Sequence, residues 1–498
     1  MTNHLFSLVR DGVPDPAKTV IETPEGRRYS YADLIARSGA YAASLRAAGV
    51  QPGDRVAAQV EKSPEVIFLY LGAIRAGAVF LPLNTAYTPA EIGYFLGDAE
   101  PAVFVCDPGK RDALAQAAAK VRQIWTLDAA GGGSAAEAAD RQDGAFADVP
   151  RGPEDLAAIL YTSGTTGRSK GAMLTHDNLA SNARTLVAYW RFTADDVLIH
   201  ALPVFHTHGL FVATNTLLAA GGAILFLPRF DPAEMLRLMP RATAVMGVPT
   251  FYTRLLAEPG LEAAARGLRL VVSGSAPLLA DTHAAFRART GHAILERYGM
   301  TETNMTTSNP YDGPRVPGRV GPPLPGVEVR VVDPVSGSPV AAGETGMVEI
   351  RGPNVFAGYW RNPEKTAAEF TADGWFVSGD LGQFDAGGSL AIVGRAKDLV
   401  ITGGYNVYPK EVEEAIDALP GVVESAVIGL PDADLGEAVT AVVVRARDGG
   451  PDAEAVLGAL AGRLARFKQP RRVVFVDELP RNAMGKVQKA ALRAHFTP

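Results

Sequence analysis

Through the first 300 residues, short apolar runs alternate with segments of helical period, and this restricts the fold more than any other feature of the chain. The runs include "DRVAAQV", "LAAILYT", "DVLIHALP", "AILFLP", "AVMGVP" and "LRLVVSG". Between them lie "PAEMLRLM" and "SPEVIFLYLGAIRAGAV", in which Ser63 precedes Pro64 as N-cap and first helical residue. Strands covered on both faces are apolar throughout, and a link between parallel neighbours takes a crossover helix. The predicted fold class is therefore α/β, with doubly wound layers in a large N-terminal domain. Single cores stop growing near ~250–300 residues, so a chain of 498 residues needs more than one domain. From about 317 to 393 short strands and Gly/Pro turns predict a small β-rich subdomain. "GRAKDLVITGGYNVYP", 394–409, marks a boundary that divides the chain into 1–394 and 395–498. The second part reads as a small α+β domain. Val412, Ile416 and Leu419 share a helical face, followed by two strands, a helix through Val456, Leu460 and Leu464, a strand and a last helix.

Composition narrows the function classes. With 47% hydrophobic and 20% charged residues the chain is an ordinary globular protein, and its net charge of −6 argues against general nucleic-acid binding. From Arg463 to Arg493, however, nine Lys/Arg face two Asp/Glu, either a solvated basic face or a place for a polyanionic ligand. Cys106 is the only cysteine, so no intrachain disulfide forms, and it reads as a small core residue. Residues 209–228 carry no charge over a length that would cross a bilayer. Asn215, two threonines and Gly221-Gly222 mark them instead as a buried helix, a turn and a strand. "MTNHLFSLVRDG" is too weakly apolar for a signal peptide, so the expected compartment is the cytoplasm, with no membrane association.

"YTSGTTGRSKG", 161–171, is built like a phosphate-binding loop but is not a Walker A loop. Gly164 and Gly167 are three apart, and Lys170 follows Gly167 by three positions instead of one. Glycines let backbone amides approach phosphate oxygens, hydroxyls add donors and the lysine adds charge. Three further stretches extend the pattern. "SGSAP" (273–277) is a second glycine turn after a strand. "ERYGMTET" (296–303) sets Glu302 beside hydroxyls, as Mg²⁺ on a polyphosphate requires. "VSGDL" (377–381) offers Asp380 to vicinal ribose hydroxyls.

These strings, with "GRAKDLVITGGYNVYPKEVE" and "PRNAMGK", occur in the order found in the adenylate-forming acyl-CoA synthetases, which the chain resembles over essentially its whole length. The resemblance implies an enzyme that joins a carboxylic acid to AMP with loss of pyrophosphate and then passes the acyl group to coenzyme A. It implies that Thr162, Ser163, Gly164, Thr165, Thr166 and Gly167, with Lys170, hold the β- and γ-phosphates of ATP. Thr165 and Glu302 would serve Mg²⁺, and Thr301 the α-phosphate. Gly274, Ser275 and Ala276, with Glu296, Arg297, Tyr298, Gly299 and Met300, would frame the nucleotide around its adenine, and Asp380 and Arg395 would hold the ribose. Lys486 matches the family's catalytic lysine, whose charge would stabilise the transition state of acid attack on the α-phosphate. Lys397 matches a hinge, which would make the C-terminal domain a mobile lid that exchanges Lys486 for Gly403, Gly404 and Tyr405 when coenzyme A arrives. Coenzyme A would also give the basic tail a use. The resemblance further makes Lys486 a candidate for a lysine acetyltransferase.

His200, His206 and His208 lack a carboxylate at ligand spacing and are not read as a metal site. By the resemblance His206 adjoins the substrate carboxylate, where Ser273 also belongs. In "MGVPTFYTRLL", Phe251 and Leu255 form a core-facing pair with Arg254 just off the stripe, so Arg254 is either an ordinary surface residue or a reader of charge in the acyl pocket. Together with "FHTHGLF", "SGSAPLLADTH" and "TETNMTTSNPYDG", the stretch is similar to malonyl-CoA synthetases, and this implies malonate as substrate, with Arg254 reading its second carboxylate. Thr207 and Met305 would wall the carbon between the carboxylates and set whether methylmalonate is accepted. The alternatives are another short acid, a free-standing adenylation enzyme that loads a carrier protein, and a non-catalytic nucleotide sensor.

Overall fold

The apolar runs of the sequence become the strands of two mainly parallel sheets. The computed structural model describes residues 2–162, 169–403, 405–447, 449–461, 463–482 and 485–497. Contacts divide it into two units, Met1–Val329 with Ile350–Phe376, and Arg330–Glu349 with Val377–Pro498.

The first unit holds both large sheets. One runs Asn304–Ser308, Leu295–Met300, Leu270–Ser273, Ala244–Gly247, Val197–His200, Ala223–Phe226, Thr19–Glu22, Arg28–Ser30, parallel except at its two edges. The other runs Gln123–Thr126, Val103–Cys106, Arg55–Gln59, Val79–Pro82, Leu156–Thr162, Lys170–Thr175, with only the last strand antiparallel. Cys106 is buried in its strand, as expected of a core residue. Helix Pro64–Arg75 starts at Ser63 with Pro64 in the first turn, though Ser63 makes no capping hydrogen bond, and it is buried all round from Glu65 to Arg75.

Residues 209–228 form a helix, a turn and a strand, mostly buried, and no described helix is long and apolar enough to cross a membrane. The helix has a feature the sequence did not announce: His208–Asn215 is a π-helix. The Gly209 carbonyl accepts from His200 Nε2 and from the Thr214 hydroxyl, each at 2.9 Å. Such side-chain competition for a carbonyl widens a helical turn. A Cβ at Gly209 would lie 2.1 Å from the Pro203 carbonyl oxygen, so glycine is needed where the chain turns back on itself.

In the second unit the β-rich segment supplies a sheet ordered Glu328–Val332, Gly346–Arg351, Phe376–Phe384, Leu390–Arg395. The C-terminal part pairs Val422–Asp432 with Gly436–Arg445, on which Arg472–Val476 lies parallel and the hairpin Val400–Thr402/Tyr405–Val407 is added. Val412, Ile416, Leu419, Val456 and Leu460 are buried in one cluster, and Leu464 packs on it from beyond the helix end at Ala461. This is the α/β fold with a smaller α+β C-terminal part that the periodicities predict.

Asp196 anchors the start of strand Val197–His200. Its carboxylate accepts from Arg269 Nε (2.7 Å) and Nη2 (2.6 Å), the Thr243 hydroxyl (2.6 Å) and the Thr193 amide (2.8 Å). Burial alone would raise the pKa of this carboxyl, but these bonds outweigh it and hold it below the usual range. Stability from a depressed carboxyl is complete above its unfolded pKa of about 3.9 and is lost as pH falls through the folded value. Asp196→Asn is expected to cost about 3 kcal/mol at neutral pH. It should also flatten the acid limb of melting temperature against pH, and a limb as steep as the parent's would show that other carboxylates carry it.

Candidate active site

Parallel strands place their carboxyl ends along one edge, and ligands of α/β sheets bind in the crevice outside it. Here that edge is polar. Leu270–Ser273 delivers Ser273 and then Gly274, Ser275 and Ala276; Val197–His200 leads into His206, Thr207 and His208. Leu295–Met300 carries Glu296, Arg297, Tyr298, Gly299 and Met300, and a turn through Thr301 and Glu302 brings the chain back to Asn304 and Met305. Ser273 pairs with Glu296 in register, and His208 Nδ1 lies 3.3 Å from the Ser275 hydroxyl. Thr207, Ser273 and Met305 are buried, and His206 is half-buried with its Nδ1 accepting from the His208 amide at 3.3 Å.

Several of these groups lack partners. Among the described residues no hydrogen bond reaches Thr207 Oγ1, His208 Nε2, Ser273 Oγ, Arg297 Nε and Nη2 or either side-chain polar atom of Asn304. Buried polar atoms are paired in about nine cases of ten, so a group of orphans at one sheet edge marks the place of a polar ligand. Arg297 is the strongest of them. It is buried, and burial pulls its pKa down to about 9. Burial first, then the charge of Arg297, keeps His208 neutral. A Cβ on Gly274 would lie 2.3 Å from the Arg297 guanidinium carbon, so a side chain there would have to push that buried cation aside. Ser275 (φ 73°) and Asn304 (φ 47°) take left-handed backbone to make the turns.

Asn182 and Asn354 hold this edge in place and were not legible in the sequence. Asn182 exchanges bonds with the Met305 backbone at 2.8 and 3.2 Å, and Asn354 Nδ2 donates to the Thr303 carbonyl at 2.7 Å. Their partners lie 123 and 51 residues away in sequence. The only local signal is a polar residue inside the otherwise apolar "GPNVFAGYW".

Thr162 and Lys170, expected from the sequence to serve phosphates, face each other across the antiparallel pair that closes the six-stranded sheet. Ser163, Gly164, Thr165, Thr166 and Gly167 lie outside the described residues. Lys170 is ion-paired to Glu369 at 3.2 Å, and Tyr359 bonds both Glu369 and Glu302. Glu302 is buried, a single carboxylate of the kind that Mg²⁺ shares with phosphate oxygens. Among the described residues no three His, Cys, Asp or Glu side chains are placed to hold a metal by themselves. His200 is instead a neutral link, its Nδ1 3.0 Å from Nζ of the buried Lys62.

In the second unit Asp380 is buried and paired in register with Arg395, whose Nε lies 2.7 Å from its carboxylate. Lys397 follows in the turn Ala396–Asp398; burial lowers its pKa while Asp398 opposes. Gly403 (φ 56°) donates to the Leu435 carbonyl, Tyr405 is exposed and stacked on Phe467 at 4.7 Å, and Gly404 lies outside the described residues. Lys486 is exposed; its amide donates to Asn482 Oδ1 at 3.0 Å. In the first unit Phe251 and Leu255 are buried on helix Pro249–Leu255, as the spacing predicted, and Arg254, which the spacing left open, is exposed.

The AMP-binding enzyme family matches residues 11–360, and the AMP-binding enzyme C-terminal domain matches 411–486. The chain belongs to the AMP-binding enzyme family. It is similar to the crystal structure of ATP-bound MatB from Rhodopseudomonas palustris, with 62% identity and a TM-score of 0.98 over 100% of this chain and 99% of that one. A feruloyl-CoA synthase from an Amycolatopsis species is 38% identical over 95% of this chain and 94% of its own. The malonate–CoA ligase of Arabidopsis thaliana is 33% identical over 99% and 90%.

The contact between Gly274 and Arg297 can be tested without a substrate. Gly274→Ala should destabilise the protein by about 1–3 kcal/mol through overpacking. Arg297→Ala should absorb most of that loss, a non-additivity read from denaturant midpoints. Additive losses would place the strain elsewhere.

Proposed function

We propose that the protein is an AMP-forming malonate–CoA ligase, which makes malonyl-CoA from malonate, ATP and coenzyme A through malonyl-AMP with release of pyrophosphate. The observation that carries the choice of acid is Arg297, a buried cation with two unpaired donors at the polar sheet edge. A monocarboxylic acid uses its one carboxylate in the mixed anhydride and leaves such a cation unpaired. A dicarboxylic acid brings a second anion, and a guanidinium can bind that anion at two points. We therefore assign Arg297 to the distal carboxylate instead of the adenine, with Arg254 as an exposed companion charge. Resemblance to the malonate–CoA ligase of Arabidopsis thaliana supports the same reading.

In the first half-reaction one malonate oxygen attacks the α-phosphorus of ATP and the bond to pyrophosphate breaks. His206 and Ser273 would orient the attacking carboxylate, Thr301 the α-phosphate, and Lys486 would stabilise the charge that grows in the transition state. Thr162, the loop that follows it and Lys170 would bind the leaving pyrophosphate. Gly274, Ser275, Ala276 and Tyr298 would frame the adenine, and Asp380 with Arg395 the ribose. Glu302, with Thr165, would hold Mg²⁺, which supplies charge neutralisation on the polyphosphate. In the second half-reaction the coenzyme A thiol attacks the acyl carbon and AMP leaves. Rotation at Lys397 would bring Gly403, Gly404 and Tyr405 forward, and the basic stretch from Arg463 to Arg493 offers charge to the coenzyme A phosphates. Thr207 and Met305 would limit the 2-substituent, with methylmalonate as the test of that limit. Acetylation of Lys486 would remove the charge that the first step needs.

A panel of acids assayed for pyrophosphate release decides the substrate, with malonate expected ahead of acetate, propionate and ferulate. Arg297→Met should lower kcat/KM for malonate by about 10²–10³, the roughly 3–5 kcal/mol of a buried pair that loses one partner. Arg254→Ala, at an exposed position, should cost about tenfold or less. Acetate should lose little with either, and equal losses for all acids would remove the malonate assignment.

Lys486→Ala tests the two-conformation account separately. It should abolish adenylation and spare thioester formation from supplied malonyl-AMP. Equal loss of both half-reactions would refute an exchange of the lysine between steps.

A further inference from the structure

Lys170 is already engaged in this structure. Its ammonium lies 3.2 Å from Glu369 Oε1 and 4.5 Å from the centre of the Tyr359 ring. Lys365 meets the same carboxylate at 2.8 Å. Glu369 Oε2 accepts from the Tyr359 hydroxyl at 2.5 Å, and that hydroxyl also lies 3.1 Å from Glu302 Oε1. A phenol has one proton and serves one of two carboxylates at a time. Burial first, then Glu302 and Glu369, push the Tyr359 phenol far above its ordinary range, so it stays a donor. For Glu369 burial works upward, but the bonds from Lys365, Tyr359 and Lys170 outweigh it and keep the carboxylate ionised. Two carboxylates and two ammonium groups thus balance around one hydroxyl. Lys170 and Lys365 also line, with Arg361, Asp98 and Trp360, a cavity of about 370 Å³.

We propose that Glu369 is a positioning residue that acts through Lys170: it holds the lysine when no phosphate is bound and competes for it when pyrophosphate is due to leave. The inference rests on Lys170 being a phosphate ligand. A cation that binds the β- and γ-phosphates of ATP holds free pyrophosphate by the same contacts, and adenylation is reversible while pyrophosphate stays. A carboxylate one ion-pair distance away offers the lysine another partner, which weakens the grip on pyrophosphate without removing the charge that binds ATP. Lys365 remains with Glu369 when Lys170 departs, so the carboxylate is not stranded.

The test is calorimetric titration of the full-length protein with inorganic pyrophosphate and magnesium chloride, without acid or coenzyme A. Glu369→Gln keeps the size of the side chain and an acceptor for Tyr359 but removes the charge. It should tighten pyrophosphate by about fivefold, the scale of one part-exposed ion pair. Glu369→Asp, with the same charge on a shorter stem, should tighten it by less, and it gives the reading if the glutamine variant folds poorly. In a Lys170→Ala background Glu369→Gln should change nothing. Unchanged or weaker pyrophosphate binding in Glu369→Gln overturns the proposal. So does equal tightening without Lys170, which would mean direct repulsion of the anion by the carboxylate. If Lys170→Ala alone leaves pyrophosphate affinity unchanged, it is the phosphate-ligand reading of Lys170 that fails.

Discussion

Strands that run in one direction put their carboxyl ends on one side, and the candidate site of the first unit follows from that. The strands Val197–His200 and Ala223–Phe226 end beside a buried lysine. Lys62 donates to the His200 carbonyl at 2.6 Å and the Leu227 carbonyl at 2.7 Å, and lies 3.0 Å from His200 Nδ1. With its Nδ1 facing that donor, His200 presents Nε2–H to the Gly209 carbonyl and so fixes where the π-helix begins. Burial drives the Lys62 pKa well below its ordinary value, and no carboxylate is among its bonded partners. The segment with His206, Thr207 and His208 therefore leaves the sheet from a clamped end and returns into a clamped helix. A floppy connection could not keep side chains from separate strands within reach of one small ligand.

Two arginines of the same unit show how structure and function separate. Arg269 donates from all three of its nitrogens, to Asp196 and to the Trp190 and Arg191 carbonyls, and ties two strands at the amino-terminal side of the sheet. Arg297, more deeply buried, has two nitrogens, Nε and Nη2, with no partner among the described residues. A buried group left unpaired destabilises the fold, so its persistence is understandable when a ligand completes it. Gly274 belongs to the same arrangement, since any side chain there would occupy the space of the guanidinium. Lys170 differs from Arg297 in this respect: it is ion-paired to Glu369, which also accepts from Tyr359 and meets Lys365.

Much of this was readable from local pattern. The apolar runs, Pro64 at a helix start, Cys106 in a strand, the broken segment 209–228 and the shared face of Val412 and Ile416 all have causes within a few residues. The burial of Phe251 and Leu255 came from helical spacing alone, which left the surroundings of Arg254 open. What failed to appear was anything whose partner is far along the chain. Arg297 reads in sequence only with its neighbours in "ERYGMTET"; that Gly274, Tyr252 and His208 lie beside it is set by the fold. The position of Lys170 after a glycine-rich loop is plain in the sequence, but its pairing with Glu369 spans 199 residues.

By itself, then, the sequence determined the class of fold, the family and the order of its motifs, because strand and helix periods and glycine turns act through neighbouring residues. Tertiary structure decided which polar groups remain without partners among the described residues. An arginine, a threonine or a serine has the same donors in any sequence. Whether they are spent within the protein depends on the residues that folding brings beside them, and among the described residues no carboxylate bonds to Arg297.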